Sequence, residues 1–525
     1  MARAPDAHHH RRVLCVFPAY APSFGTFQHA YPLMAGVRAF MPPQGLLVLA
    51  AYLPEPWEVR LVDENIRPAR DADFAWAEIV MVSGMHVQRS KILDIARRAK
   101  RRGCTTVLGG PSVSGEPDAY GAFDFLHIGE MGDATDEMIR ALDNDPSRPP
   151  AQRRFLTRER LPLTDFPIPA YGLLPLERYF IGSLQFSSGC PYRCEFCDIP
   201  ALYGRVPRLK TPEQVVAELD AMVAQARPNA VYFVDDNFIG NRKATARLLP
   251  ALIEWQRRNG YPLEFACEAT LNIAKQTEIL GMMREAGFAT VFCGIESPDL
   301  DALQAMDKSH NSVIPITEAV ETLNAFGMEV VAGIILGLDT DTPATPAQVL
   351  DFINHSQIPM LTINLLQALP RTPLWDRMAA EGRLVEDSER ESNVVFRLPY
   401  ERVVEGWKWL VAETYKPEAV YGRFLHQVAR TFPNRFRPSD ARGRVTWRNI
   451  RKGLSTLSRI LVLVGLLGSY RLAFWRMAWP LVKRGDVESL IHVALVSHHL
   501  IRFANAASAG RENASFYSAK HRTVP

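Results

Sequence analysis

Short apolar runs recur through the first 130 residues, and each ends in a polar or glycine-rich turn. RVLCVFP at 12–18, EVRLVDENI at 58–66, EIVMVSGM at 78–85, TTVLGGP at 105–111 and DFLHIGE at 124–130 have the length and β-branched content of buried strands. Between them, PPQGLLVLAAYL at 42–53 reads as a helix opened by proline, and QRSKILDIARRAKRRG at 88–103 as a helix stopped by glycine. Strands alternating with helices at this spacing predict an α/β, doubly wound, Rossmann-like parallel sheet over residues 10–145. Such sheets take ligands at the carboxyl ends of their strands. Ser83, Gly84, Met85, Gly109, Gly110, Gly129 and Glu130 all fall at those ends, with Asp63, Glu64, Asn65 and His86 nearby. A single glycine here needs only a tight βα turn to explain it, but four such turns along one edge predict a ligand site.

Residues 146–180 are rich in proline and arginine and lack a period, which predicts a linker. Beyond it the alternation resumes over 181–395. SLQFSSG, AVYFVDDNF, LEFACEAT, TVFCGIES, EVVAGIILGL and MLTINLLQALPRTPL read as strands, separated by helical patterns at 211–226, 242–259, 276–286, 314–326 and 346–356. Six βα units are too many for a small sheet and suit a curved, partly closed (β/α)6 barrel like part of a TIM barrel. After residue 396 the rhythm ends and the chain reads as a helical, basic C-terminal region to 525.

Composition changes this picture in two places. The net charge is only +3, but residues 441–525 hold fourteen Lys/Arg against three Asp/Glu. The seven cysteines follow no secretory signal, which predicts a cytoplasmic setting where clustered thiols bind metal or do redox chemistry. The longest uncharged apolar run, at 460–470, is well short of the roughly 20 residues a spanning helix needs, so no transmembrane span is expected.

Three cysteines crowd into SSGCPYRCEFCDIP: Cys190, Cys194 and Cys197. Structural zinc normally takes four protein ligands, commonly as two separated pairs. Cys15, Cys104, Cys267 and Cys293 form no second pair, and no histidine nearby is spaced to help. A redox pair needs two cysteines, not three. A 4Fe–4S cluster held by three thiolates explains the number, because it leaves one iron free for a substrate or cofactor.

Cys190-x-x-x-Cys194-x-x-Cys197, with Phe196 before the last cysteine, resembles the radical S-adenosylmethionine (SAM) motif. The resemblance implies a partial barrel in which SAM chelates the free iron and is cleaved reductively to a 5′-deoxyadenosyl radical. It also implies that Asp235, Asp236 and Asn237 sit near the methionyl end of SAM. Glu268, Gly294 and Glu296 would line its ribose and carboxylate, Gly333 and Gly337 its adenine, and residues 370–374 would close the last strand.

With this barrel behind it, the first domain looks like a cobalamin-binding domain. The two together, over residues 12–400, resemble the cobalamin-dependent radical SAM methyltransferases. Many cobalamin domains carry D-x-H-x-x-G after the first strand, whose histidine ligates cobalt. That loop here reads AYAPSFGTFQHAYP, so cobalamin is expected without a histidine lower ligand. DAHHHR at 6–11 precedes the strand, and its histidines read as a loose tail. His86 and His127 either face the corrin or cap strand ends.

The resemblance implies hydrogen abstraction from an unactivated carbon, methyl donation from methylcobalamin, and two SAM per turnover. It also implies an external electron donor of the flavodoxin or ferredoxin type. The overall pattern is most similar to bacterial hopanoid C-2 methylases, which act on pentacyclic triterpenoid lipids. Methylases of bacteriochlorophyll-type tetrapyrroles, cobalamin-dependent rearrangement or cyclisation enzymes, and a non-catalytic sensor are the alternatives. The Trp- and Arg-rich region at 447–484 reads either as an interfacial element resting peripherally on the inner membrane face or as an ordinary packed helical subdomain. Its apolar content argues against nucleic acid.

Overall fold

The computed structural model of the protein describes residues 8–311, 313–387, 390–438 and 447–512. The first sheet contains β1 (Arg11–Phe17), β2 (Trp57–Asp63), β3 (Ile79–Ser83), β4 (Thr105–Gly109), β5 (Phe125–Ile128) and β6 (Arg153–Leu156), in the order β2-β1-β3-β4-β5-β6. Every pairing is parallel. Along β1 the side chains alternate between two cores. Val13 and Cys15 join the large core shared with the rest of the chain, while Leu14 and Val16 pack under the helix Arg89–Arg101. Burial on both faces is why these strands read as unbroken apolar runs. The direction of winding switches between β1 and β3, so the crevice expected at a topological switch lies at their carboxyl ends.

Two segments differ from the sequence reading. β6 lies inside the stretch read as a linker, where RRFL buries only Phe155 and shows no alternation to betray it. The histidine run is not a loose tail in its described part. His8 Nδ1 lies 3.2 Å from Asp143 Oδ2, and the His9 amide donates to Asp143 Oδ1 at 2.9 Å. Asp6 and Ala7 lie outside the described residues.

The second sheet begins with β7 (Gly182–Leu184). A two-stranded antiparallel pair follows, β8 (Ser187–Ser188) with β9 (Arg208–Leu209), enclosing the cysteine loop. Then come β10 (Ala230–Phe233), β11 (Glu264–Glu268), β12 (Phe288–Glu296), β13 (Glu329–Leu336) and β14 (Met360–Leu365). The order β14-β13-β12-β11-β10-β7 is fully parallel, and β14 does not pair with β7. The sheet is therefore a six-stranded barrel left open along one side. Residues 370–374 do not extend β14. Thr372 caps the helix Pro373–Ala380 by accepting from the Trp375 amide at 3.1 Å, as a threonine ahead of proline is suited to do.

Helices form the C-terminal layer. Trp407 Nε1 donates to the Ile363 carbonyl at 2.8 Å, which fixes the helix Tyr400–Thr414 on β14. In the helix Val487–Ser508, His499 Nε2 lies 3.1 Å from the carbonyls of both Ser23 and Phe24, so this layer also grips the loop after β1. Among the described residues, no helix is long and apolar enough to cross a membrane.

Candidate active site

The three cysteines sit on one loop between β8 and the short helix Ile199–Leu202, each half-buried and free of disulfide. The loop is tightly held. Gly189 stands at φ 97°, where an added Cβ would lie 2.9 Å from the Gly204 carbonyl, and the Cys190 amide donates to that carbonyl at 3.2 Å. Glu195 is clamped by Arg377, with Nε–Oε1 at 2.5 Å and Nη2–Oε2 at 3.0 Å, and the Leu374 amide donates to the Glu195 carbonyl. A bidentate pair of this kind fixes orientation as well as position. Tyr192, in the same loop, stacks on His310 at 3.8 Å and meets the Asn272 amide at 2.6 Å.

The thiols influence one another and share surroundings. Burial raises all three pKa values, that of Cys194 to about 11, with Lys308 opposing the shift at Cys190 and Cys194. Among the described residues no three His, Cys, Asp or Glu side chains close on a single metal ion. Three thiols on one short loop that act on one another electrostatically are a donor set that a polynuclear group spanning them would take. The cation beside them would offset the charge of bound thiolates.

Acidic side chains ring the loop. Asp235 accepts from the Phe186 and Ser187 amides at 2.8 and 2.6 Å, and Asp236 accepts from the Gly189 amide at 2.7 Å. Desolvation pushes Asp235 to about 8, Asp236 to about 6, and Glu268, which accepts from Tyr232 Oη at 3.2 Å, to about 7. Asp235 Oδ2 and both polar atoms of the Asn237 amide are buried without an oxygen or nitrogen partner. Such orphaned atoms mark where a polar ligand would be satisfied.

Glu296 ends β12 at φ 67°, where the β12–β13 register shifts. This left-handed conformation is costly for a residue with a Cβ and turns the carboxylate across Gly294 and Gly333. A Cβ on Gly294 would lie 2.3 Å from Glu296 Oε1 and 2.8 Å from Lys308 Nζ, and one on Gly333 would lie 3.5 Å from Glu296 Oε2. Lys308 Nζ in turn meets Glu296 Oε1 at 2.5 Å and sits 5.4 Å from the Phe196 ring centroid. Burial alone would lower the lysine pKa, but Glu296, Cys194 and Cys197 outweigh it and hold the group above the usual lysine value.

The barrel mouth thus brings Cys190, Cys194, Cys197, Phe196, Asp235, Asp236, Asn237, Glu268, Gly294, Glu296 and Gly333 together. Gly337 packs under the Phe396 ring on the side a Cβ would take. Lys308 and the Arg377 clamp were missed in the sequence. Lys308 lies in DKSHN, a loop with no motif, and Glu195 and Arg377 are 182 residues apart.

On the first sheet the turns after β3, β4 and β5 are stitched together. Gly110, at φ 91°, would bring a Cβ within 2.4 Å of Ser83 Oγ, and Ser114 Oγ donates to the Gly110 carbonyl and accepts from the Gly129 amide, both at 2.9 Å. The Met85 amide donates to Gln88 Oε1, and Gln88 Nε2 donates to the Pro18 carbonyl, which joins the Gly84 turn to the end of β1. Glu130 turns away from this edge and crosses to the barrel, pairing with Arg208, with Arg160 at 3.2 Å and with Ser188 Oγ at 2.9 Å. It therefore links the first sheet to the strand directly before the cysteine loop. His127 Nε2 is 2.9 Å from Thr135 Oγ1, and burial lowers its pKa to about 4. The His86 ring lies where a Cβ on Gly115 would fall.

Comparison with known proteins agrees with this architecture. Residues 32–139 match the B12 binding domain, 184–353 the Radical SAM superfamily and 372–513 a domain of unknown function, DUF4070. The hopanoid C-2 methylase of Rhodopseudomonas palustris (strain TIE-1) is 58% identical over 99% of this chain and 98% of its own. The chain belongs to the cobalamin-binding radical SAM methyltransferase family. A bacteriochlorophyllide d C-12(1)-methyltransferase of Chlorobaculum tepidum is more distant, 22% identical over 74% of this chain and 86% of that one. In fold, the chain is similar to OxsB, a cobalamin-dependent S-adenosylmethionine radical enzyme solved with aqua-cobalamin and S-adenosylmethionine, with a TM-score of 0.61 at 14% identity over 97% of this chain and 82% of that one.

Proposed function

We propose that this methyltransferase methylates an unactivated carbon of a hopanoid, at C-2, using a 4Fe–4S cluster, SAM and cobalamin. The observation that carries the substrate is the likeness to hopanoid C-2 methylase across the whole chain, against the weaker and shorter likeness to a tetrapyrrole methylase. When bound, these groups supply hydrogen abstraction from the substrate carbon and a methyl group to replace that hydrogen. The chain holds and orients them. Cys190, Cys194 and Cys197 bind three irons. The orphaned Asp235 Oδ2 and Asn237 amide, with Glu268 and the Glu296–Lys308 pair, receive the polar parts of SAM, and Gly294 and Gly333 leave room beside them. The turns at Ser83–Met85, Gly109–Gly110 and Gly129 receive cobalamin, with Glu130 latching its domain to the barrel. An external donor of the flavodoxin or ferredoxin type supplies electrons, and the lipid is met at a membrane surface by peripheral contact.

Deleting the gene is expected to remove 2-methylated hopanoids while their unmethylated parents persist, as read by mass spectrometry of total lipid. Unchanged hopanoids with an altered pigment would favour the tetrapyrrole reading. Cobalamin is expected to bind without a histidine below cobalt, because the loop after β1 lacks D-x-H-x-x-G, and His127 Nε2 is already beside Thr135 Oγ1. Electron paramagnetic resonance of the cob(II)alamin form should then lack nitrogen superhyperfine splitting. Splitting that disappears in His86→Ala or His127→Ala would overturn that expectation.

A further inference from the structure

Of the nineteen large hydrophobic side chains exposed among the described residues, twelve lie between Trp447 and Val487. They are arranged along helices. In the helix Arg471–Lys483, Ala473, Phe474, Met477, Ala478 and Leu481 are buried against the rest of the molecule. The opposite side carries Leu472, Trp475, Trp479 and Val482, at spacings of three, four and three, all exposed. The helix Trp447–Ile460 repeats the pattern with Trp447, Ile450 and Leu454. A π-helical turn at Leu461–Leu466 joins the two and exposes Val462, Leu463 and Leu466. A surface helix that only packs on its neighbours has one apolar face and one polar face. Among the described residues nothing covers a second apolar face on these helices, and apolar patches of this extent mark interaction surfaces.

The charge pattern identifies the occupant. From 447 to 485 the sequence has eight Lys or Arg and no Asp or Glu. Arg451, Lys452, Arg471, Arg476, Lys483 and Arg484 are exposed beside the apolar stripes. Three tryptophans lie on those stripes, and Lys483 Nζ stands 5.4 Å from the Trp479 ring centroid. Tryptophan at the boundary, aliphatic side chains beyond it and cations without acids are what an anionic bilayer surface recognises. We propose that residues 447–487 dock the protein on the surface of an anionic bilayer. The helix Trp447–Ile460 also touches the loop after β1, where Arg459 donates to the Pro32 carbonyl at 3.1 Å. The docked face therefore lies next to the loop that leads to the carboxyl edge of the first sheet. This gives a function to part of the region matched by DUF4070.

The purpose of this docking rests on the lipid reading above, but its measurement does not. Full-length protein without SAM or hopanoid would be cosedimented with vesicles of phosphatidylcholine alone and of phosphatidylcholine with phosphatidylglycerol. Binding is expected to be much stronger with the anionic vesicles, falling as salt rises to a weak salt-resistant remainder that neutral vesicles share. Arg476→Glu and Lys483→Glu should each weaken binding about fivefold or more. Leu472→Ser with Trp479→Ser should remove the salt-resistant part, weakening binding by roughly tenfold or more while thermal stability stays unchanged. Equal binding to neutral vesicles, no binding to either, or unaltered binding by the variants would overturn the proposal. So would a dimer of the full chain that the Leu472→Ser, Trp479→Ser variant dissociates, since the face would then belong to a second copy. Loss of vesicle binding with normal methylation of detergent-dispersed hopanoid would separate the docking surface from the catalytic assignment.

Discussion

Cys190→Ala, Cys194→Ala and Cys197→Ala are each expected to abolish iron–sulfur loading and with it the formation of 5′-deoxyadenosine. Each thiolate would hold a separate iron, and no other thiol can substitute. Cys267 and Cys293 are fully buried on β11 and β12, and Cys15 and Cys104 are buried in the first domain. Those four should therefore tolerate serine or alanine with near-normal iron content, at most with the cost of a small core change. Iron and sulfide analysis after anaerobic reconstitution, with the visible absorption of the cluster, would read the result. A full iron complement in any of the first three variants would reject the ligand assignment. Iron loss in a Cys267 or Cys293 variant that remains folded would reveal a ligand that the geometry does not suggest. The folded state of the apoprotein should change little in the three loop variants, because the loop is held by Arg377–Glu195 and by backbone bonds rather than by the thiols.

That separation shows how unevenly the molecule could be read from its sequence. The first sheet was legible because its strands, buried on both faces, read as apolar runs, the barrel because its strands alternate buried and half-buried positions between helical patterns, and the cysteine loop because its chemistry requires fixed local spacing. β6 was not, since an edge strand with one buried side chain leaves almost no pattern. Glu130 could be placed at a strand end, but its pairing with Arg208 depends on how two domains meet, which no local rule encodes. The C-terminal helices posed a different problem. Their composition suited both a packed subdomain and a membrane surface, and only the fold shows that one apolar face is buried while the other is exposed among the described residues. Lys308 was invisible for a similar reason. A lysine in a polar loop is ordinarily solvated, and nothing in DKSHN says that this one is buried against a carboxylate on a neighbouring strand end.

Lys308→Met is expected to destabilise the apoprotein by about 3–5 kcal/mol, because Glu296 would be left as a buried carboxylate without its cation. The size of the effect follows from the surroundings. Lys308 and Glu296 are both almost fully enclosed, and the carboxylate is held over Gly294 and Gly333 by a left-handed backbone that cannot easily swing it to water. Glu296→Gln combined with Lys308→Met should recover most of the loss, since a neutral amide and a thioether carry no uncompensated charge. Glu296→Gln alone should cost less than Lys308→Met, as the lysine keeps the amide oxygen as an acceptor and the Phe196 ring beside it. Denaturant unfolding of the four proteins in a double-mutant cycle would measure the coupling directly. A coupling near zero would mean that the pair is solvated and contributes nothing to the site. A double variant that is stable yet binds SAM poorly, with iron loading intact, would instead show that the buried pair is kept for the ligand. The site's position between the cysteine loop, Phe196 and the strand glycines Gly294 and Gly333 makes that the expected outcome.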